Sequence, residues 1–237
     1  MAQLFAGTSG FAYASWKPGF YPPGVPAKSF LQYYAQRLNS VEINYTFRRL
    51  PARATLATWV EATPPGFVFA LKAPMRITHI LRLKDAGAAT EAFLNAIDPL
   101  RPARRLGPIL FQLPPQMRAD RERLAAFLSE LPRELRYAFE FRHPSWLTEE
   151  VYAELARRNV ALCVAESEKL EVPETLTADF VYFRLRKPEY SAEEVDAIGA
   201  HARELVAQGR DLYVMFKHEE SPAGALYAER VLAGARS

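Results

Sequence analysis

Cysteine is almost missing from this sequence of 237 residues: Cys163 stands alone. One thiol excludes an internal disulfide and any cysteine-built metal site, and its place in the run Ala161-Leu162-Cys163-Val164 reads as small core filler. Long apolar runs are missing too. The longest, such as Ala161 to Ala165 or Pro108 to Leu113, fall far short of the roughly 20 residues that span a membrane. The N-terminus shows no basic-then-apolar export signal, so a soluble, cytoplasmic protein with no membrane partner is expected. Histidine is scarce as well, with four in the chain and no His-x-His or His-Glu-x-x-His spacing. Lysines and arginines lie among the candidate acidic ligands, so no obligate metal and no cofactor are expected.

What is present is an ordinary globular composition, 49% hydrophobic and 24% charged, long enough for one domain over residues 1–237. The net charge of +3 conceals an asymmetry. Residues 1–119 carry 14 Lys and Arg against 5 Asp and Glu, and the remainder carries 16 against 22. A basic half suits an anionic ligand, or reflects nothing more than differently solvated helix faces.

Eight short apolar or alternating runs can be marked: Leu4 to Thr8, Val41 to Thr46, Phe67 to Lys72, Ile109 to Leu113, Tyr137 to Arg142, Val160 to Glu166, Phe180 to Leu185 and Leu212 to Phe216. Helical patterns fall between nearly all of them, several after a Ser, Thr or Asp cap: Ser29 to Leu38, Ala52 to Glu61, Ala88 to Ile97, Asp120 to Leu131, Thr148 to Arg158 and Ala192 to Gln208, with Ala223 to Leu232 at the end. Strand-helix alternation at near-equal spacing predicts an α/β fold, a single closed (β/α)8 TIM-like barrel. The segment Ser167 to Ala178 is too short and too rich in Pro and Glu for a full helix, so the βα unit after strand 6 is expected to be degenerate.

The stretch Arg136 to Trp146 locates the site. Alternation puts Ala138, Glu140 and Arg142 on one strand face and Phe139 and Phe141 on the other, and Pro144 stops the strand before a helix begins at Trp146. The same logic turns Glu42, Asn44 and Thr46 inward together, and likewise Lys72 with Ala70, Gln112 with Leu110, and Arg184 with Tyr182. Each inner face then runs from small or apolar to polar. That gradient suits a packed barrel with a site at its C-terminal mouth, although a self-neutralising ion network would give the same pattern.

These motifs resemble the YecE-like family, whose function is unknown. The resemblance rests on Gly7-Thr8-Ser9-Gly10-Phe11 with Trp16 and Phe20-Tyr21-Pro22, Val41 to Phe47, Phe69 to Pro74 with Thr78-His79, and Leu110 to Pro115. It continues through Glu140-Phe141-Arg142-His143 with Ser145-Trp146, and Tyr182-Phe183-Arg184. The resemblance implies a TIM-like barrel and brings no activity or cofactor. Three positions depart from the family's usual pattern: Arg186-Lys187 in place of His-Gly, Glu166 in place of Asp, and Lys217-His218 in place of Asn-Asn. The first and third add positive charge, which would favour a more anionic ligand if those positions touch it.

Glu140 and Glu42 are the catalytic candidates. Glu140, beside Arg142 and facing Lys72 or Arg184, is expected to stay ionised, whereas Glu42 between Val41 and Ile43 is expected to have a raised pKa. Such a pair can divide acid and base roles. Asn44, Lys72, Gln112, Arg142 and Arg184 are candidate ligand contacts, His79 is a loop contact or a histidine bonded to backbone, and Trp146 is an aromatic floor or lid or a ring that packs its loop down. Thr8 and Ser9, within Gly7 to Gly10, could meet an anion through hydroxyls and amides, or simply form the turn leaving the first strand. Three functions follow: an enzyme or binding barrel for a small anionic, phosphorylated or sugar-like ligand; a nucleic-acid-binding or phosphodiester-processing barrel using Arg101 to Arg105, Arg118, Arg121 and Arg123; and a non-catalytic ligand sensor. Oligomeric state is not legible.

Overall fold

A computed structural model describes residues 1–234. Eight strands, β1 (Leu4–Thr8), β2 (Ser40–Ile43), β3 (Val68–Lys72), β4 (Leu106–Gln112), β5 (Tyr137–Glu140), β6 (Ala161–Ala165), β7 (Phe180–Leu185) and β8 (Asp211–Phe216), form one sheet in the order β1-β8-β7-β6-β5-β4-β3-β2. Every pairing is parallel. Seven helices lie between and after them: α1 (Phe30–Arg37), α2 (Arg53–Glu61), α3 (Gly87–Ile97), α4 (Arg121–Glu130), α5 (Glu149–Arg157), α6 (Ala192–Ala207) and α7 (Ala223–Gly234). This is the expected TIM-like barrel, and no helix joins β6 to β7. Among the described residues, no helix is long and apolar enough to cross a membrane.

The barrel closes by a different device from its other seams. β1 and β2 share a single parallel bridge, Ser9 with Glu42. Side chains stand in for the missing ladder: Asn39 accepts from the amide of Ala6 at 2.9 Å and donates to the carbonyl of Leu4 at 2.8 Å. The Tyr34 hydroxyl accepts from the amide of Thr8 and donates to the carbonyl of Ser40. Gly7 is required here, because a Cβ would lie 1.9 Å from the Ser40 carbonyl oxygen.

Two apolar layers follow from the period-2 alternation. Outward residues such as Phe69, Phe111 and Phe139 pack under the helices, where Phe111 and Phe139 stack at 5.1 Å and Phe127 of α4 meets Phe111 edge-on. Inward residues form a second cluster that includes Phe5, Ala70, Ala138, Ala161, Cys163, Tyr182 and Tyr213. Alanines and Cys163 predominate on the inner faces of β5 and β6. That leaves room for the large side chains of β7 to cross the barrel.

Two strands are shorter than their alternation predicts. β2 ends at Ile43 and β5 at Glu140, so Asn44, Thr46 and Arg142 belong to the loops that follow. Asn44 precedes a 3-10 turn over Tyr45–Phe47. The buried Thr46 hydroxyl donates to the carbonyl of Lys72 at 2.6 Å, which ties the β2 loop to the end of β3. Capping was only partly as expected: Asp120 accepts from the amide of Arg123, and Ser191 with Glu194 forms a capping box, but Ser29 and Thr148 make no side-chain cap.

Candidate functional site at the barrel mouth

Arg184, 1% exposed, extends inward from β7 and binds two carboxylates at once. Its Nη2 donates to Glu42 on β2 at 2.7 Å, and its Nη1 donates to Glu140 on β5. Glu42 is completed by Ser9 Oγ at 2.6 Å and Tyr182 Oη at 2.8 Å, both donating. Around Glu140, Gln112 Nε2 donates to both oxygens at 2.9 Å, Arg142 Nε to Oε1 at 2.9 Å and Arg186 Nη2 to Oε1 at 3.0 Å. Register explains the Gln112 contact, because Gln112 and Glu140 are direct ladder neighbours. Beyond Gln112, its Oε1 accepts from Lys72 Nζ at 2.9 Å.

Electrostatics in this network decide the acid/base expectation. Burial alone would raise the Glu140 pKa, but Arg184, Arg186 and Arg142 outweigh it and hold the carboxyl well below the usual range. Glu42 departs from expectation. Burial raises its pKa too, yet Arg184, Ser9 and Tyr182 more than compensate, so it is lowered as well. Both carboxylates are therefore ionised at neutral pH, and the predicted split between an acid and a base is not found. Lys72 behaves oppositely: burial and then Arg184 bring it down to about 8, against the pull of Glu42 and Glu140.

Three guanidiniums and one amine thus surround two carboxylates. The excess does not come from the basic N-terminal half, since Arg142, Arg184 and Arg186 all belong to the acidic half. Arg142 and Arg186 remain partly open, with side chains 32% and 21% exposed, and border a cavity of about 270 Å³ with Glu140, Pro115, Lys169 and Leu170. Glu166 and Lys169 add one charge of each sign there. Glu166 also accepts from the amides of Arg186 and Lys187 and from the Tyr190 hydroxyl, which fixes the turn carrying Arg186. The Nε atoms of Arg184 and Arg186 and Oδ1 of Asn44 are buried without a hydrogen-bond partner.

Other predicted contacts lie elsewhere or are already engaged. Trp146 is fully buried, stacks on Phe141 at 4.8 Å and donates to the carbonyl of Met117 at 2.7 Å, so it pins a loop and is neither floor nor lid. The Gly7 to Gly10 turn offers no anion cradle. Amides of Thr8, Ser9 and Gly10 donate to Tyr34, Phe216 and Glu42, and the Thr8 hydroxyl donates to the carbonyl of Gly10. His79 lies in a π-helical turn over Arg76–Ile80, bonded to Thr78 at 2.9 Å and edge-on to Phe47; burial, Lys72 and Arg142 lower its pKa. Of the departures, only Arg186 joins the network around Glu140. Lys187 pairs with Glu194, Lys217 lies 3.8 Å from Glu219, and His218 meets the carbonyl of Lys187. Arg186 was read only as a departure from a motif, although alternation two residues beyond Arg184 puts it on the same face as Tyr182 and Arg184. Among the described residues, no group of three or more His, Cys, Asp or Glu gathers as a metal site.

The family model described as "Protein of unknown function DUF72" matches residues 5–236. The chain belongs to the DUF72 family. It is 23% identical to the UPF0759 protein YunF of Bacillus subtilis (strain 168), over 90% of this chain and 88% of that protein. A DUF72 family protein from Thermotoga maritima MSB8 superposes with a TM-score of 0.86 at 29% identity, covering 99% of this chain and all of the other. Another from Enterococcus faecalis V583 gives 0.82 at 19% identity, covering 99% and 96%. These likenesses agree with the barrel of this DUF72 chain and assign it no reaction.

Proposed function

We propose that the mouth binds a small anionic ligand, phosphorylated or carboxylated, through Arg142 and Arg186. The observation that carries this reading is the surplus of cations around Glu42 and Glu140, with two partly open guanidiniums bordering a cavity. Glu42 and Glu140 act as anchors that hold the guanidiniums in position, and Arg184 is the buried link between them. The motifs that carry the YecE-like resemblance lie within the span matched by the DUF72 model. A cytoplasmic setting, where small phosphorylated and carboxylated metabolites abound, belongs to the same proposal.

Inorganic phosphate at millimolar concentration is the direct probe. It should raise the melting temperature where chloride of equal ionic strength does not, and Arg186→Ala should remove most of the shift. No phosphate-specific shift, with a panel of small carboxylates equally silent, overturns the reading. A nucleic-acid ligand has less support. Arg105 is buried against Thr63 and Arg101 pairs with Asp98, which engages two of the three arginines in the run Arg101 to Arg105, and Arg123 pairs with Asp120.

A further inference from the structure

Lys72 ends β3 within the same network, but its surroundings differ from those of the three arginines. Each guanidinium touches a carboxylate directly, whereas the Lys72 amine meets the amide oxygen of Gln112 at 2.9 Å. That choice of atom is forced. Gln112 Nε2 donates to both oxygens of Glu140, so only Oε1 is left to face Lys72. An amide oxygen accepts from a neutral amine as well as from an ammonium, while a carboxylate would hold the proton in place. On another side, Nζ lies 4.1 Å from the centroid of the Phe47 ring, and the edge of that ring meets His79. An amine held by a neutral acceptor, partly buried and near other cations, is the setting in which lysine becomes a nucleophile, and it outweighs the preference of the Phe47 face for the ammonium.

From this geometry we infer that Lys72 condenses with the carbonyl carbon of a small anionic aldehyde or ketone whose charged group is held by Arg142 and Arg186. The inference rests on the anion-binding reading above and narrows its ligand to a carbonyl compound. The Nζ lone pair forms the C–N bond, the carbonyl oxygen takes up two protons, one of them from the amine, and it leaves as water to give a protonated imine. No oxidant or reductant is needed. Gln112 and Glu140 stand between the amine and the guanidiniums, so the ligand must reach past both to meet Lys72.

Glyoxylate, the smallest anionic aldehyde, tests this directly when its imine is trapped by cyanoborohydride and mapped by peptide mass spectrometry on the full chain. Lys72 should acquire the carboxymethyl group at least about tenfold faster than exposed lysines such as Lys28 and Lys84. The rate should rise with pH to half its maximum near 8, and phosphate should slow it. Lys72→Arg should leave only the slow background. Labelling of Lys72 no faster than of Lys28 and Lys84 overturns the inference. Two mixed outcomes separate it from the reading beneath it. A phosphate-induced thermal shift without Lys72 labelling overturns the nucleophile and keeps the anion site. Preferential labelling by both glyoxylate and neutral acetaldehyde, with no phosphate protection, supports the nucleophile and overturns the anion site.

Discussion

The two ends of the barrel handle charge differently. At the N-terminal end, Arg136 donates to Asp211 at 2.6 Å and to the Tyr213 hydroxyl at 3.1 Å, and its guanidinium lies 5.2 Å from the centroid of the Phe180 ring. Below it Phe5 and Tyr213 stack at 4.7 Å and fill the barrel floor. Arg136 is matched by Asp211 there over aromatic packing, and Arg101, Arg104 and Glu134 border a cavity of about 330 Å³ beside it, with no buried carboxylate among them. At the C-terminal end the cations outnumber the carboxylates, several polar atoms have no partner, and a cavity adjoins them. A closed pair has nothing left to offer a ligand, whereas an open network retains both charge and hydrogen-bonding capacity. Both ends hold ion pairs beside a cavity, so neither a salt bridge nor a surplus of cations distinguishes scaffold from site; what differs is that Glu42 and Glu140 are fully buried, whereas the Asp211 side chain is 20% exposed.

Removing the centre of the open network should have the largest effect. Arg184→Ala strands two buried carboxylates and should cost about 3–5 kcal/mol in denaturant melts at pH 7. Without their counter-charge the carboxyls become harder to ionise, so the deficit should shrink as the pH is lowered toward 5. A loss no greater than that of an exposed ion pair would remove the distinction between the two ends.

The wild type should show the opposite sign. Glu42 and Glu140 have folded pKa values below their ordinary value of 4.5, so the stability they contribute is fully present above it and is lost as pH falls through the folded values. Denaturant midpoints measured from pH 6 to pH 3 should therefore drop steeply below about pH 4.5, and replacing Glu140 with Gln should flatten that slope. An unchanged slope in the variant would place the acid sensitivity outside the mouth.

A smaller effect is expected at the other end. Asp211→Asn weakens a pair whose side chains are 36% and 20% exposed, and should cost about 1 kcal/mol with the phosphate response intact. The smallest effect belongs to the basic run. Arg101→Glu combined with Arg104→Glu should change stability by less than about 0.5 kcal/mol apiece, because neither side chain is buried. Titration of the protein with DNA or RNA at low salt should give no binding that the double variant weakens. Steeply salt-dependent binding lost in that variant would make this end a second functional surface.

Much of the fold was legible before any coordinates. The strand β7 and the strand β1 fall where alternation put them, and the missing helix after β6 follows from the stretch Ser167 to Ala178, which holds Pro173 and four Glu and Lys residues. Local physics suffices for this, since side-chain period and turn chemistry act within a few residues. Strand ends were less legible. Asn44 and Arg142 continue the alternation of their strands in sequence, but the ladder partners give out one or two residues earlier, and a strand without a partner does not persist.

The sequence by itself determined the barrel, its inner and outer faces, and the placing of Glu42, Lys72, Gln112, Glu140 and Arg184 at strand ends on one rim. Only the tertiary structure decided what those residues are. Glu42 has apolar neighbours in sequence, which argues for a raised pKa, yet Arg184, 142 residues away, lies against it and reverses the sign. Trp146, a candidate floor or lid in the sequence, is buried on Phe141 and packs its loop down. Arg186 gains its carboxylate across two strands, and Lys72 receives an amide because Glu140 has already oriented Gln112. Alternation says which way a side chain points. Its charge state and reactivity depend on whatever the closed barrel brings within about 4 Å, because electrostatic and desolvation energies act through space and not along the chain.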